Sequence, residues 1–440
     1  MKKVILKNAA VYEEISRIEN GVVVIEGESI AHIGYSFQDE ELAVIEDSVE
    51  VIELPATYHV IPGMIDLHIH GAGGADTMDG TFASLETIAA LLPEEGTTSF
   101  LPTTMTQSDA NIEKALKNIA SYSNVGNSRI SGEGNGGFTD KGNDGGSEEG
   151  NAFFLAEGNR ENSGKGNGDF LHKQNAEVLG VHLEGPFINY EMAGAQPKEF
   201  ISKIDIDKFK RWQELSGNAI KIVTFAPEMK GSDDFVRYLA GEGIVAAVGH
   251  SNASYSEVQK LTEEGLSHAT HLFNQMRGLH HREPGIVGAA FLLHELSVEL
   301  IVDGLHVSRE AVQLSYQTIG PDRLILITDA MRAKGMGDGI FDLGGQSVNV
   351  SEGKAVLEDG TLAGSVLKMS DAIKNMICYT GCTLRDIIKM AAVNPAKKIG
   401  VFDRKGSIAV GKDADLVVLN ESYEVVMTFC RGKLVYQKGC

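Results

Sequence analysis

The chain has little of several features on which whole classes of protein depend. Its 440 residues contain only four cysteines, too few for a disulfide framework, so we expect free thiols in a reducing cytoplasm. No apolar run approaches the roughly 18 residues of a membrane-spanning helix, and the N-terminal stretch turns polar at Lys7 before a secretory core forms. These shortages argue against a membrane protein and against export.

Basic residues are also scarce. The chain has 39 Lys and Arg against 61 Asp and Glu, which gives a formal net charge of −22 at pH 7. A field of this sign repels polyanions, so we expect no nucleic-acid partner. A small anionic substrate is still compatible with the composition, because a local basic pocket can outweigh the overall charge.

Both ends of the chain have the pattern of short antiparallel strands. Residues 1–60 alternate brief apolar runs with turn pairs such as Asn20-Gly21, and apolar runs return within 345–440. Neither segment is long enough for a convincing β core of its own. We therefore expect 1–60 and 345–440 to form one small β-sandwich domain together.

The region between them, 61–344, alternates apolar strand candidates with amphipathic helical stretches, as repeated βα units do. Most of the strand candidates end in a polar or ionisable residue. Eight such units predict an α/β fold, a (β/α)8 TIM-like barrel whose site lies at the carboxyl ends of the strands. The strand candidates are 66–70, 99–104, 180–184, 221–226, 245–250, 268–271, 298–303 and 324–329.

One segment interrupts this rhythm. From 126 to 173 the dipeptide Gly-Asn recurs every eight residues, six times in all, and each unit ends in a charge. Only three units offer a strong apolar residue, which is too few for a regular β-solenoid. We expect a flexible surface insertion between two barrel units; the alternative is an ordered binding element.

Residues that carry chemistry lie at the ends of several strand candidates. His68 and His70 are two apart in an apolar strand, so both imidazoles point to the same side. Imidazole and carboxylate are common ligands of divalent metals, and a glutamate in an apolar strand is costly unless it is paired or bound. A carboxylate beside such a metal could also take up and return a proton. The further candidates at strand ends are Glu184, His250, His271 and Asp329.

Seven short motifs, taken in order, resemble those of the N-acetylglucosamine-6-phosphate deacetylases of the amidohydrolase superfamily. The resemblance covers the whole chain apart from the octad insertion. The barrel and small β domain of that superfamily match the architecture predicted above. The motifs are 62–71, 182–187, 249–253, 270–276, 282–285, 303–306 and 328–330.

The resemblance implies a metal centre with an acid/base beside it. The principal divalent metal would be held by Glu184, His250 and His271. A second ion, bridged by Glu184, would be held by His68 and His70. Zinc, iron and manganese all accept such ligands, and we expect one or two ions per subunit. The acid/base of the family corresponds to Asp329.

The resemblance also implies how a small phosphosugar substrate is bound. His306 and Arg282 would hold the phosphate, with main-chain help near Asn274 and Gln275. The counterpart of Arg282 can reach in from a neighbouring subunit, which implies a homodimer. Many relatives have a histidine where this chain has Gln196. An amide donates a hydrogen bond but cannot be cationic, so polarisation of the acetyl carbonyl would depend more on the metal.

The implied activity is hydrolysis of the acetamide of N-acetyl-D-glucosamine 6-phosphate to D-glucosamine 6-phosphate and acetate, in amino-sugar catabolism and cell-wall recycling. One alternative is the galactosamine epimer as substrate, because the orientation of a single hydroxyl leaves no trace in the sequence. The other is a catalytically dead relative that acts as a scaffold, with 126–173 as its binding arm. The presence of every candidate ligand argues against the scaffold.

Overall fold

A computed structural model describes residues 3–35, 49–130 and 175–439 of the chain. Of the octad repeat, only 126–130 fall within these ranges, at the end of the helix Asp109–Ile130. The remaining repeat residues lie outside the described part of the chain. The interpretation of 126–173 as a flexible insertion therefore stays a prediction.

Eight parallel strands form a nearly closed barrel, which confirms the predicted (β/α)8 architecture. Each of the eight strand candidates overlaps one of these strands. Their residues are almost all buried, because parallel strands are covered by helices outside and filled by side chains inside. The strands are β1 (Met64–Ile69), β2 (Thr97–Thr104), β3 (Val181–Glu184), β4 (Ile220–Phe225), β5 (Val245–Val248), β6 (Leu266–Ala269), β7 (Ser297–Ile301) and β8 (Leu324–Ile327).

The seam between β8 and β1 closes the barrel through a side chain as well as through the backbone. The buried carboxylate of Asp66 accepts hydrogen bonds from the Thr328 hydroxyl at 2.5 Å and the Thr328 amide at 3.3 Å. The Asp329 amide donates to the carbonyl of His68 at 2.8 Å. The seam therefore sets the position of Asp329 relative to the histidines of β1.

Helices surround the barrel, and several begin at residues with strong capping chemistry. Ser254 and Glu257, for example, form a reciprocal capping box at the start of one helix. The surrounding α-helices are Phe82–Leu91, Asp109–Ile130, Ile206–Leu215, Ser232–Gly241, Tyr255–Thr262, Gly285–Leu292 and Arg309–Ile319. The 3-10 turns are Thr77–Asp79, Leu92–Glu95, Tyr190–Met192 and Lys198–Phe200. Within the described ranges, every helix is too short or too polar to cross a bilayer.

A second sheet is built from both chain ends, which confirms the composite β domain. His59–Pro62 pairs antiparallel with Leu416–Leu419 and so joins the two ends. Buried Val and Ile residues from both ends share one apolar core. The other strands of this sheet are Lys3–Tyr12, Arg17–Glu26, Ser29–Tyr35, Val49–Glu53, Val425–Cys430 and Lys433–Gln437.

The segment between the barrel and the C-terminal strands is partly helical. Met369, Ala372, Ile373 and Met376 recur at helical spacing and pack in the core of the barrel. The helices are Met369–Thr380, Leu384–Ile388, the π-helical turn Lys389–Val393 and Asn394–Lys398. Short strands form two further small sheets, Gly339–Leu343 with Gln346–Ser351 and Lys354–Val356, and Gly71–Ala72 with Ala75–Asp76. The division at residues 60 and 345 is untested and stays a prediction.

A partly buried charge cluster ties the barrel to the sheet domain. Glu177 lies in a two-residue strand, Glu177–Val178, that pairs with β2. Its carboxylate lies 2.7 Å from Arg404, 2.7 Å from Lys405 and 3.3 Å from Arg431. Burial opposes ionisation, but Lys405 and the two guanidinium groups hold the pKa of Glu177 well below its usual value.

Replacing Glu177 tests this cluster. Glu177→Gln should lower the free energy of unfolding by roughly 1–3 kcal/mol at pH 7, because the buried Lys405 loses one of its three carboxylate partners. The folded-state pKa of Glu177 lies below its unfolded value, so its contribution is complete above about pH 4.5 and is lost as the pH falls further. In urea unfolding, the difference from wild type should therefore shrink in acid.

The matched control is Glu424→Gln, which breaks an exposed pair with Lys438. We expect it to leave the urea midpoint nearly unchanged. A loss of stability in Glu177→Gln that is the same at every pH would contradict the assignment.

Candidate metal centre

A cavity of about 460 Å³, open to solvent, lies at the carboxyl ends of the barrel strands. Most of the residues selected from the sequence line it. His68 is fully buried beside His70, whereas Arg282 is exposed and lies outside the lining of the cavity in its own subunit. The selected residues in the lining are His70, Glu184, Gln196, His250, His271, Asn274, Gln275, His306 and Asp329.

The ends of the strands aim these side chains. Glu184 is the last residue of β3, and three other candidates follow the ends of their strands by two residues. These three, His250, His271 and Asp329, have φ angles of 46°, 31° and 47°. Left-handed backbone at a residue other than glycine costs roughly 1–3 kcal/mol and persists only where the surrounding fold enforces it. The barrel therefore imposes an unfavourable local conformation that turns three polar side chains into the cavity.

The first half of the centre consists of one carboxylate and two imidazoles. His250 donates its Nδ1 proton to the carbonyl of Met192 at 2.9 Å, so Nε2 of the neutral ring is an acceptor. Glu184 Oε1 lies 3.1 Å from that nitrogen and 3.0 Å from His271 Nε2. Because a carboxylate oxygen also accepts, the His250 contact requires a proton or a metal cation between the two atoms. The set fits a divalent metal, with its ligand atoms within 4.8 Å of one another.

The second half repeats this pattern. His70 is placed to donate its Nδ1 proton to the Thr103 carbonyl at 3.2 Å, and its Nε2 lies 3.3 Å from Asp329 Oδ1 and 3.4 Å from Glu184 Oε2. His68 Nε2 lies 3.5 Å from an oxygen of each of the same two carboxylates. Burial lowers the pKa of His70, but the hydrogen bonds with Asp329 and Glu184 raise it to about 9. The surroundings therefore favour positive charge at this position.

Gln196 is engaged on both sides of its amide. Its Nε2 donates to Glu184 Oε2 at 2.6 Å, and its Oε1 accepts from the Thr106 amide at 2.7 Å. These bonds hold the carboxylate of Glu184 so that Oε1 faces the two imidazoles. They use the carbonyl oxygen and one amide hydrogen of Gln196, so the second amide hydrogen can reach a ligand in the cavity.

His306 lines the same cavity and is paired with a carboxylate. Its Nδ1 lies 2.6 Å from Asp303 Oδ2, and its side chain is only 6% exposed. Burial lowers the pKa of this imidazole, but the hydrogen bond and the charge of Asp303 outweigh burial and raise it. A protonated His306 suits an anionic group of a ligand.

The other residues selected from the sequence lie farther from the ligand cluster. Asn274 and Gln275 follow His271 in the same turn, and the Asn274 side chain bonds to the carbonyls of His271 and Leu272. Arg282 is exposed and lies 2.8 Å from a ring nitrogen of His281.

Sequence reasoning missed the groups that orient the two histidines of β1. Glu299 Oε2 lies 3.1 Å from His68 Nδ1, and the Thr103 carbonyl receives His70. A signal for Glu299 existed, since it is an acidic residue inside an apolar strand, which was the argument used for Glu184. Thr103 had no such signal, because it acts through its backbone.

Comparison with known proteins agrees with this geometry. A sequence profile of the amidohydrolase family matches residues 158–435. The N-acetylglucosamine-6-phosphate deacetylase of Bacillus subtilis (strain 168) is 40% identical over 435 residues, which cover 99% of this chain and 98% of that protein. An N-acetylgalactosamine-6-phosphate deacetylase of Escherichia coli O157:H7 is 33% identical over 397 residues, which cover 90% of this chain and 93% of that protein.

A solved structure adds a bound ligand. A mutant N-acetyl-D-glucosamine-6-phosphate deacetylase from Mycobacterium smegmatis, in complex with N-acetyl-D-glucosamine-6-phosphate, is 26% identical to this chain. The two align with a TM-score of 0.82 over 99% of this chain and 100% of that chain. The likeness therefore extends over both the barrel and the composite β domain.

Metal content tests the two halves of the centre separately. Zinc-loaded wild type should hold two ions per chain after gel filtration, as measured by elemental analysis. His70→Asn should hold one ion, because it removes a ligand from one half only. Glu184→Gln should lose both, because its carboxylate belongs to both halves.

The matched control is His59→Asn, which removes an imidazole from the sheet domain. We expect it to keep both ions. Two tightly held ions in His70→Asn would exclude His70 as a metal ligand.

Proposed function

The chain belongs to the amidohydrolase family, and we propose that it is a metal-dependent deacetylase that hydrolyses the acetamide of N-acetyl-D-glucosamine 6-phosphate. The products are D-glucosamine 6-phosphate and acetate, which places the enzyme in amino-sugar metabolism, within amino-sugar catabolism and cell-wall recycling. The observation that carries the proposal is the cluster of Glu184, His250 and His271 in one cavity with His306. A substrate with an amide and a phosphate needs both groups.

Five residues would hold the metal. Glu184, His250 and His271 suit a principal divalent ion, and His68 and His70 a second ion that shares Glu184. The ion is zinc, iron or manganese, since all three accept imidazole with carboxylate. When bound, such an ion lowers the pKa of a coordinated water to about 7 and polarises a carbonyl oxygen.

Asp329 is the proton-transfer group of the proposal. Its side chain is 12% exposed and faces the cavity beside His70. Burial raises the pKa of this carboxyl, but the charge of His68 and the hydrogen bond with His70 lower it further, so the group is ionised near neutral pH. It can therefore take a proton from the attacking water and deliver it to the departing amine.

The phosphate would be held by His306 and the turn after His271. Asp303 raises the pKa of His306 and so favours its cationic form, and Asn274 and Gln275 add polar groups from that turn. Arg282 is exposed in its own subunit, which suits a contact made across a homodimer interface with the substrate of the other subunit. Bidentate arginine is well matched to phosphate and offsets the acidic field locally.

Gln196 completes the acyl end of the pocket. With one amide hydrogen on Glu184, its second hydrogen would contact the acetyl group of the substrate. A neutral amide polarises a carbonyl less than an imidazolium does, so this step would rest chiefly on the metal.

We propose that the protein is located in the cytoplasm. Cys378, Cys382 and Cys430 are free thiols, which suits a reducing environment.

The galactosamine epimer is the less supported substrate, since the Escherichia coli relative named for it is less similar to this chain than the Bacillus subtilis relative. The scaffold alternative is disfavoured because the ligand cluster is assembled and buried.

Acetate release tests the function directly. Metal-stripped protein reloaded with zinc, iron or manganese should release acetate from N-acetylglucosamine 6-phosphate far faster than from N-acetylglucosamine or from N-acetylgalactosamine 6-phosphate. Folded, metal-loaded protein without acetate release from any of the three would refute the proposal.

Arg282→Ala should raise KM for N-acetylglucosamine 6-phosphate and leave KM for N-acetylglucosamine unchanged, because only the first substrate has a phosphate that Arg282 could contact.

Asp329→Asn tests the proton-transfer role. The variant should keep its metal and lose roughly 10²–10⁴-fold in kcat, because an amide cannot accept the proton. Asp338→Asn, the same change at an exposed site, should leave kcat unchanged. Full turnover in Asp329→Asn would assign the proton transfer to another group.

A further inference from the structure

Glu299 is a fully buried carboxylate in the middle of β7 that contacts both halves of the candidate centre. Its Oε2 lies 3.1 Å from His68 Nδ1 and 3.2 Å from the backbone nitrogen of His271. Its Oε1 lies 3.0 Å from His268 Nε2. Three donors, one from β1 and two from β6 and the turn after it, therefore converge on one fully buried side chain that does not line the cavity.

The contact with His68 determines which ring nitrogen can face the centre. An ionised carboxylate only accepts hydrogen bonds, so His68 Nδ1 must carry the proton. Nε2 of His68 then faces Glu184 and Asp329, each 3.5 Å away, and would offer its lone pair to a metal ion bound between them. Without Glu299, the ring could take the other tautomer or rotate, and in both cases Nε2 would no longer present a lone pair there.

The contact with His271 acts on the backbone. His271 has a left-handed φ of 31°, which is unfavourable for a residue with a β-carbon. Its amide donates to the same oxygen of Glu299 that receives His68, so one atom holds ligands of both halves. Displacement of this carboxylate would move His68 and His271 together.

His268 shows that the carboxylate is itself oriented. Its Nε2 donates to the other oxygen of Glu299, and its ring is fully buried. Both oxygens are thereby occupied, and the carboxyl group cannot rotate without breaking a hydrogen bond in a dry interior. His268 does not line the cavity.

We propose that Glu299 is a positioning residue that sets the tautomer of His68 and the backbone of His271, and so couples the two metal half-sites. This inference rests on the metal centre of the proposed function but not on its substrate. Groups that orient metal-binding histidines typically contribute 10–100-fold to metal affinity. Loss of Glu299 should weaken mainly the binding of the ion held by His68 and His70. Glu299 contacts the ring of His68 directly, whereas it contacts only the backbone amide of His271.

The test is zinc affinity, measured by competition with a chelator, in wild type and in Glu299→Gln. A glutamine keeps the shape but offers one acceptor oxygen to three donors. We expect the second equivalent of zinc to bind 10–100-fold more weakly and the first equivalent to be affected less. Glu424→Gln, the same change at an exposed site of the sheet domain, is the matched control and should bind both equivalents as wild type does.

A second measurement needs no Glu299 variant. In zinc-loaded wild type with ¹⁵N-labelled histidine, the Nδ1 proton of His68 should be a slowly exchanging low-field resonance, assigned by its loss in His68→Gln. Wild-type affinity for both equivalents in Glu299→Gln, or a His68 Nδ1 proton that exchanges freely, would overturn the inference. If wild type binds two zinc ions but releases no acetate, the proposed activity fails while these readouts still decide the role of Glu299.

Discussion

Glu184 imposes the constraint on which the rest of the barrel mouth depends. Its carboxylate faces the Nε2 atoms of His250 and His70. The Nδ1 protons of these two rings are directed at the backbone carbonyls of Met192 and Thr103. Acceptors facing one another in a buried site repel unless positive charge lies between them. The acceptors around Glu184 therefore favour a bound proton or metal cation. The surrounding structure holds these acceptors together against their repulsion.

The barrel holds these groups in place just beyond the ends of its strands. Left-handed backbone at His250, His271 and Asp329 turns side chains inward just beyond the strands, where ladder hydrogen bonds no longer restrain the chain. The seam between β8 and β1 depends on the Asp66 carboxylate as much as on backbone pairing. Local conformations that would be unfavourable in isolation persist because the packed barrel around them excludes other backbone arrangements.

The sequence could group the candidate ligands because barrel geometry converts position along the chain into position in space. A polar residue at the end of an apolar strand must lie at one rim, so Glu184, His250 and Asp329 could be grouped without knowing a single contact. Glu299 lies in the middle of its strand, where only the neighbouring strands decide what it meets. The helices after residue 369 show the same limit, because sequence patterns alone do not reveal that they pack on the barrel rather than beside the C-terminal strands.

The cavity combines two electrostatic environments in a chain of net charge −22. The carboxylates of Glu184 and Asp329, with the imidazoles around them, form groups that suit a cation. Asp303 acts on His306 instead: its hydrogen bond and its charge raise the pKa of that imidazole, and the bond at Nδ1 leaves Nε2 available to an anionic ligand. An acidic chain therefore needs no basic surface to present a site that suits an anion, because the environment of one buried side chain is set within a few ångströms.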